Sequence, residues 1–155
     1  MTIIAKTELK MIQYKRSGYV VSVLENWKVE LLDEERTAFI GPKVGALQMG
    51  FYITVVPKMG KTYLDAAQRI KAQQELEPHY ELLEEKNISN ESNALMRRAC
   101  WYHEDSDMML FVRDIFTEYK DHVYLLSCSI PNNDDLSFLD AATFEMMGSF
   151  TLLKE

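Results

Sequence analysis

Three runs of apolar and β-branched residues lie between Ala94 and Ile130, and they predict three consecutive antiparallel strands. The runs are ALMRRACWYHED, MMLFVRDIFTEY and HVYLLSCSI, and polar turns at residues 104–107 and 120–121 separate them. Aromatic and β-branched residues favour strands, and short polar clusters between such runs are typical of hairpins. The rest of the chain is interpreted by how it pairs with this meander or covers it.

The second run of the meander alternates in such a way that both of its faces are apolar. One face carries Met108, Leu110, Val112 and Phe116, and the other carries Met109, Phe111, Ile115 and Tyr119. A sheet with two apolar faces needs cover on both sides. Two helices are predicted as that cover, from Tyr63 to about Glu77 and from Leu136 to Met147. We therefore expect an α+β fold with a central antiparallel β-sheet covered by helices on both faces, an α/β/α sandwich.

Four further strands are predicted outside the meander. They are Gly18–Val23, Thr37–Ile40, Met49–Val56 and Tyr80–Ile88. The N-terminal hairpin is expected to extend one side of the sheet, and Pro42 should end the second of these strands because proline lacks a ladder donor. Trp27 follows a turn and is expected to plug one end of the core. Thr62 and Asp65 form a capping-box pattern at the start of the first helix.

Length and charge restrict the class of protein. The 155 residues predict one domain, 1–155, with its core at about residues 14–150. The net charge of −7 is uneven, since residues 1–61 carry nine Lys and Arg against six Asp and Glu, whereas residues 62–155 carry eight against eighteen. An acidic body disfavours contact with a phosphate backbone, so nucleic acid is not an expected partner. The acidic half is interpreted as a source of solubility, with a steering surface for a basic partner as the alternative.

The N-terminal stretch and the cysteines both point to a cytoplasmic protein. Charged residues interrupt the sequence MTIIAKTELKMIQYKR, so we expect neither a signal peptide nor a membrane anchor, and no direct membrane insertion. Cys100 and Cys128 fall on the first and third strands of the meander, two strand spacings or ~9.6 Å apart. That separation is too large for a disulfide, so both are predicted to be free, buried thiols, as suits a reducing compartment.

One stretch partly matches a phosphate-binding motif. Residues 55–62, VVPKMGKT, end like the pattern G-x-x-x-x-G-K-[ST]. Val55 stands where the first glycine is required, and Pro57 removes a backbone N–H from the cradle. The stretch is therefore interpreted as a loop and a helix N-cap, and no cofactor is expected.

Two polar positions in the meander invite a functional interpretation. His103 precedes the acidic turn 104–107, which imitates a metal site but has the same sequence as a solvated hairpin tip. Asp114 stands inside an apolar strand and is expected to pair with Arg97 or Arg98 on the neighbouring strand. A functional carboxylate is the alternative for Asp114. No catalytic or metal site is predicted, and the chain is not expected to be an enzyme.

The order of elements resembles the DcrB/PsbP-like group of bacterial proteins over about residues 14–150. The chain from Gly18 runs G-Y-x-V-x-V-L-x-N-W-K-V and then F-I-G-P, and the last helix ends on M-x-S-F. The positions that carry the resemblance determine shape rather than chemistry; they are Gly18, Trp27, Phe39, Gly41, Pro42, Ser149 and Phe150. Leu24 departs from the group, which commonly has a proline there. The resemblance implies a PsbP-like fold.

The resemblance also implies a non-enzymatic role. Similar leaderless members include the Eag-type chaperones, which hold the transmembrane segments of type VI secretion effectors. Our hypothesis is a non-catalytic cytoplasmic binding protein, a chaperone or adaptor for hydrophobic segments of a secreted effector. The alternatives are an assembly factor or scaffold that binds a protein partner through its acidic surface, and a small-molecule binder. A homodimer also stays open, and the sequence does not identify the residues that contact a partner.

Overall fold

The computed structural model describes residues 10–16, 18–44, 46–89, 93–131 and 137–153, which form two antiparallel sheets and two α-helices. The larger sheet has the strand order β3 (Lys28–Leu31), β4 (Arg36–Val44), β5 (Leu47–Pro57), β9 (His122–Pro131), β8 (Met108–Tyr119), β7 (Asn93–His103) and β6 (Glu81–Ser89). The smaller sheet has the order β1 (Met11–Arg16), β2 (Tyr19–Leu24) and β10 (Thr151–Leu152). The helices are α1 (Tyr63–Gln74) and α2 (Ser137–Gly148). Of the predicted turn at residues 89–93 and the predicted loop at residues 131–135, residues 90–92 and 132–135 lie outside the described residues.

The predicted meander is confirmed as β7, β8 and β9. A single 3₁₀ turn, Glu104–Ser106, joins the first two strands, and a two-residue turn joins the last two. Cys100 and Cys128 are buried and free, as predicted. Within the described residues, no helix combines the length and the apolar character that crossing a bilayer requires.

The register divides the seven-stranded sheet into two faces. Directly paired residues lie on the same face, and successive residues along a strand lie on opposite faces. We call one side the core face; it carries Phe39, Phe51, Ile53, Leu126 and Cys128, which belong to the largest buried cluster. We call the other side the helix face; it lies under α1 and carries Leu95, Asp114 and Phe116. Both faces of β8 are apolar, as the alternation predicted.

The predicted α/β/α sandwich is wrong, because the smaller sheet together with α2 covers the core face. β2 turns Tyr19, Val21 and Val23 into the core, where each is at most 1% exposed. Val20 and Ser22 alternate with them and are only half-buried. A strand that is buried on one side can form a second layer over a sheet. The N-terminal hairpin therefore packs on the core face instead of extending the larger sheet.

β4 continues through Gly41 and Pro42, where the prediction ended it. Its register with β5 shifts between Ile40 and Lys43, so the proline falls in an irregular part of the ladder where its missing N–H is tolerated. Gly41 lies against the indole of Trp27, and a Cβ at this position would come within 2.6 Å of the ring. Trp27 is 4% exposed and fills this end of the core, as predicted.

The start of α1 is confirmed. The Thr62 side chain accepts from the Asp65 N–H, and the Asp65 carboxylate accepts from the Thr62 N–H at 2.8 Å. The helix ends at Gln74, earlier than predicted. Ala67 is buried against the sheet, whereas Leu64 is 49% exposed. Tyr63 and Ile70 are partly buried and pack beside Ala67, so aromatic and aliphatic side chains of α1 also contribute to its contact with the sheet.

Candidate functional site

A groove of about 570 Å³ lies on the core face beside the C-terminal segment, and it is open to solvent. We call it the apolar groove. Its floor comes from β6, β7, β8 and β9 and consists of Ile88, Ala94, Ile115, Thr117 and Leu126. Its wall comes from the end of α2 and from β10 and consists of Met147, Gly148, Phe150, Thr151 and Leu152. The two threonines are the lining residues with polar side-chain atoms.

Sheet register places the floor of the apolar groove. Ile88 pairs with Ala94, and Ala94 pairs with Thr117, so the three form one row on the core face. Ile115 and Leu126 pair with each other in the next row. Because Ala94 carries only a methyl group, the floor is lowest between the larger side chains of Ile88 and Thr117.

The wall is held in place by hydrogen bonds to β2 and to the residue that precedes it. The Ser149 hydroxyl accepts from the Ser22 N–H at 2.8 Å and donates to the Met146 carbonyl at 2.6 Å. The Leu153 N–H donates to the Gly18 carbonyl at 2.7 Å. Gly18 has a φ of 83°, a conformation that favours glycine. Two of the resemblance positions, Gly18 and Ser149, thus fix the chain that forms the wall.

Phe150 is the resemblance position that lines the groove directly. Its ring centroid lies 5.3 Å from that of Tyr19 and 5.9 Å from that of Tyr124, so the smaller sheet and β9 support the ring from behind. The other resemblance positions, Trp27, Phe39, Gly41 and Pro42, do not line the groove. Phe39 is buried in the main core, Gly41 lies against Trp27 at the end that this residue fills, and Pro42 is exposed.

Two arginines stand next to the groove on the same face. Arg98 and Arg113 are directly paired across β7 and β8, and we call them the arginine pair. Nη2 of Arg113 donates to Asp140 at 3.3 Å, and its guanidinium carbon lies 4.8 Å from the centre of the Phe144 ring. The Arg113 side chain is only 11% exposed, and its Nε and Nη1 have no hydrogen-bond partner within the described part of the chain. Arg98 reaches Glu84 at 3.5 Å.

Cys128 is paired with Arg113 across β8 and β9 and belongs to the core. Burial raises the pKa of its thiol to about 12, and the hydrogen bond with Thr143 and the charge of Arg113 oppose that rise only in part. The thiolate is the nucleophilic form of cysteine. Cys128 is therefore a neutral thiol at physiological pH, and its place beside an arginine does not activate it.

A row of paired residues with mostly polar side chains crosses all seven strands on the helix face. We call it the polar row; it consists of Glu30, Ala38, Tyr52, Ser127, Asp114, Arg97 and Glu85. Its middle lies under α1, where Asp114 is 4% exposed and Arg97 is 3% exposed. Two opposite charges are thus buried next to each other beneath a helix.

The predicted pairing of Asp114 with Arg97 holds at the level of register, but the guanidinium bonds elsewhere. Arg97 and Asp114 are direct cross-strand partners. Nε of Arg97 lies 3.0 Å from the Glu85 carboxylate, and Nη1 donates to the Ala67 carbonyl of α1 at 2.9 Å. Arg97 also lies over the Phe116 ring at 5.2 Å. It therefore connects β6, β7 and α1.

Asp114 connects the other end of α1 to the sheet. Nε2 of Gln74, in the last turn of the helix, donates to its carboxylate at 2.9 Å. Burial raises the pKa of Asp114, while hydrogen bonds from Ser127 and Gln74 and the charge of Arg97 act in the opposite direction. The oxygen of the Gln74 amide, Oε1, and the Tyr80 hydroxyl are buried without a partner within the described residues. The arrangement resembles a clamp for α1 rather than an exposed acid–base pair.

The other sequence candidates take structural positions. His103 ends β7, and beside it the Tyr102 hydroxyl donates to the Asp107 carboxylate across the hairpin turn. Within the described ranges, no three His, Cys, Asp or Glu side chains are placed to hold a metal ion. In the stretch that partly matches the phosphate motif, Gly60 has a φ of 82° and Thr62 caps α1. This agrees with its interpretation as a loop and an N-cap.

Sequence reasoning missed both the apolar groove and the arginine pair. The groove depends on β10, a strand of two residues whose sequence has no periodicity to recognise. The arginine pair had a visible signal, because Arg113 stands between Phe111 and Ile115 on a side of β8 that is otherwise apolar. A charged residue at such a position needs a partner or a solvated opening.

Comparison with known proteins identifies the fold. A Pseudomonas aeruginosa protein of unknown function, a putative regulator, has a TM-score of 0.59 at 19% identity, covering 94% of this chain and 97% of that one. LpqN of Mycobacterium tuberculosis, involved in cell envelope biogenesis, has a TM-score of 0.62 at 10% identity, covering 96% and 94%. Cyanobacterial PsbP (CyanoP) from Synechocystis has a TM-score of 0.62 at 9% identity, covering 93% of each chain.

At these identities the likeness concerns the fold alone, and the fold is PsbP-like. The chain matches no protein-family model and no curated protein. Its function must therefore be argued from its own surfaces.

Proposed function

We propose that the protein is a non-catalytic binding protein whose apolar groove holds an apolar segment of a partner protein. The observation that carries this proposal is the lining of the groove, in which seven of the ten residues have aliphatic, aromatic or thioether side chains. Apolar surface that is open to water is stabilised when an apolar side chain covers it. Contiguous exposed patches of this kind commonly mark sites of interaction.

The expected binding energy is enough for a modest affinity. Each buried methylene contributes about 0.8 kcal/mol, so two or three aliphatic side chains of a partner contribute several kcal/mol. Ordering those side chains costs about 0.5–1.5 kcal/mol each, in addition to the cost of association.

The finer proposal is a cytoplasmic chaperone or adaptor for hydrophobic segments of a secreted effector. It rests on the resemblance to the DcrB/PsbP-like group, whose Eag-type members have that role. The two cysteines are unpaired, which is usual in a reducing compartment and supports the cytoplasm. The net charge of −7 helps to keep a complex with an apolar segment in solution.

A peptide-binding measurement with a blocked groove tests the proposal. The probe is a fluorescent synthetic peptide with a central run of leucine and alanine, flanked by lysines, in buffer with about 0.15 M salt to screen its attraction to the acidic chain. Ala94→Phe places a ring on the floor of the groove. We expect it to weaken binding at least ten-fold, or by about 1.4 kcal/mol, because the ring fills the space that the peptide side chains need.

The matched control makes the same substitution on a different surface. Ala72 is exposed on α1, so Ala72→Phe should bind the peptide as the wild type does. Thr151→Arg, at the exposed rim of the groove, is a second blocking variant that leaves the floor unchanged. Thermal unfolding followed by circular dichroism checks that each variant is folded. The proposal is overturned if the wild type does not bind the peptide, or if both blocking variants bind it with full affinity.

A further inference from the structure

The arginine pair has hydrogen-bonding capacity that the described residues do not use. Within the described ranges, Nε and Nη1 of Arg113 are buried without a partner, and the bond from Nη2 to Asp140 is long at 3.3 Å. Asp140 is 60% exposed and Glu84, next to Arg98, is 40% exposed, so water competes for both carboxylates. A buried donor without an acceptor is costly, more so when it is charged. An acceptor supplied from outside would remove that cost once the Phe144 ring, which lies over the guanidinium and is 60% exposed, moves aside.

The arginine pair adjoins the apolar groove. Arg113 precedes Ile115 of the groove floor by two residues on the same face of β8, which corresponds to about 7 Å along a strand. On α2, Phe144 covers Arg113, and Met147 of the groove wall follows three residues later, on the same side of the helix. The same strand and the same helix therefore line both the groove and the arginine pair.

From this arrangement we propose that the arginine pair binds a carboxylate of the segment held in the apolar groove, so that the partner is an apolar peptide segment with an acidic side chain next to its apolar run. The inference rests on the proposed function. An extended peptide advances about 3.3 Å per residue, so an acidic residue two positions beyond the last buried side chain reaches Arg113. Guanidinium groups bind carboxylates through charge-assisted hydrogen bonds, which are stronger than neutral ones.

Two properties of the chain favour a peptide with one acidic residue over other acids. A small ligand is usually enclosed on most sides, whereas this groove is open and can receive side chains from a polypeptide that passes over it. The net charge of −7 repels acidic molecules in general. A carboxylate therefore adds to the binding affinity only if its apolar neighbours place it at the arginine pair. This requirement makes the contact selective.

Three peptides with the same apolar run test the inference. They differ in one residue, two positions after the run, which is Glu, Gln or Lys, and their C-termini are amidated so that they carry no other carboxylate. The wild type should bind the Glu peptide about ten-fold more tightly than the Gln peptide, and the Lys peptide most weakly. Raising the salt concentration should reduce the preference for Glu, since Arg98 is 41% exposed.

Variants of the arginine pair test whether these two residues cause the preference for the Glu peptide. Arg113→Gln and Arg98→Gln should each bring the Glu peptide to the affinity of the Gln peptide, with the Gln peptide unchanged. Arg69→Gln is the control. Arg69 is exposed on α1, so this substitution removes the same charge from another surface. If Arg113→Gln does not fold, Arg98→Gln still decides the test, because its side chain is more exposed.

The outcomes separate this inference from the proposed function. If the Glu and Gln peptides bind equally to the wild type and Ala94→Phe weakens both, the groove binds apolar segments and the carboxylate contact is wrong. If no peptide binds, the proposed function itself fails. A preference for Glu that persists in Arg98→Gln and Arg113→Gln overturns the assignment to the arginine pair. Decanoate is the probe for a lipid acid. If decanoate binds the wild type more tightly than the Glu peptide does, displaces that peptide, and does not displace it from Arg113→Gln, the occupant is a lipid acid and the peptide assignment is wrong.

Discussion

The core face and the helix face belong to the same seven strands and are covered in opposite ways. One row on the core face runs Val29, Phe39, Phe51, Cys128, Arg113, Arg98 and Glu84. The row beside it on the helix face is the polar row, with Asp114 and Arg97 at its centre. On the core face apolar side chains fill the half under the smaller sheet, and charged residues follow towards β6. On the helix face the charged residues lie in the middle, under α1.

Because the two faces are covered differently, different regions of the sheet are expected to contribute to stability and to binding. The cluster under the smaller sheet is the largest in the described chain and joins both sheets to α2. Within the described residues, the cluster under α1 has Ala67, Leu95 and Phe116 as its buried members, with Tyr63, Ile70 and Leu125 partly buried against them, and polar contacts supplement it. The apolar groove opens on the core face at the place where the cover ends, beside the C-terminal segment. We therefore expect the free energy of unfolding to depend mainly on the core face, and the attachment of α1 to depend on the polar row.

The largest effect is expected from a truncation on the core face. Phe51 is fully buried, and its ring lies 5.7 Å from that of Phe39. Phe51→Ala should lower the free energy of unfolding by about 3–5 kcal/mol, because the ring is lost and a cavity remains. Urea denaturation followed by tryptophan fluorescence measures the change.

The control for this truncation is Leu64→Ala on α1. Leu64 is 49% exposed, so we expect a change within about 0.5 kcal/mol. If both truncations cost the same, the proposed division of stability between the two faces does not hold.

A smaller effect is expected from Arg97 on the helix face. Arg97→Met keeps the length of the side chain but leaves the Ala67 carbonyl without its donor and Asp114 without its neighbouring cation. The free energy of unfolding should fall by about 2–3 kcal/mol, the usual penalty of an unsatisfied buried polar group with some loss of packing. Hydrogen exchange should show that the amides of α1 lose protection before those of β5 and β9.

Arg98→Met provides the matched control for Arg97→Met, because the next residue lies on the other face. Arg98 is 41% exposed and its contact with Glu84 is 3.5 Å long, so the loss should be about 0–1 kcal/mol. Equal losses in the free energy of unfolding for the two variants would show that burial under α1 does not increase the contribution of Arg97 to stability.

The meander was predictable because its three strands alternate clearly and its turns are short and polar. The capping box of α1 was predictable for a similar reason, since Thr62 and Asp65 act over three residues. The cover of the core face was not. Both a helix and a strand can cover an apolar face, and the alternation of Tyr19, Val21 and Val23 indicates a half-buried strand without indicating which sheet it joins. Only tertiary packing decides that choice.

The candidate site was less predictable than the fold. A groove is the space that several elements leave between them, and Ala94, Ile115 and Met147 come from three different elements. Their residue types are those of an ordinary core. Asp114 was recognised as unusual from its apolar neighbours, but its bond to Gln74 depends on the point at which α1 crosses β8. Contacts of this kind are not encoded in local sequence periodicity.

The smallest effect is a dependence of stability on pH that comes from Asp114. Burial raises the pKa of its carboxyl in the folded state above the ordinary value of 3.8. The folded chain then holds the proton more tightly than the unfolded chain, so the wild type loses stability as the pH rises from about 4 through the raised folded pKa. Asp114→Asn cannot ionise, and its amide oxygen can still accept from Gln74. Over this window the free energy of unfolding of the variant should rise relative to that of the wild type by at most about 1.4 kcal/mol per pH unit.

Urea midpoints of both proteins between pH 4 and pH 8 measure this difference, and the other titrating groups cancel because the two chains share them. The charge of Arg97 opposes the rise in the pKa of Asp114. In the background of Arg97→Met the window should therefore extend to higher pH. If the two midpoints shift in parallel across the range, Asp114 titrates equally in the folded and unfolded chains. The burial of the Asp114 carboxylate under α1 would then cost no stability, and the two faces of the sheet would not differ in this respect.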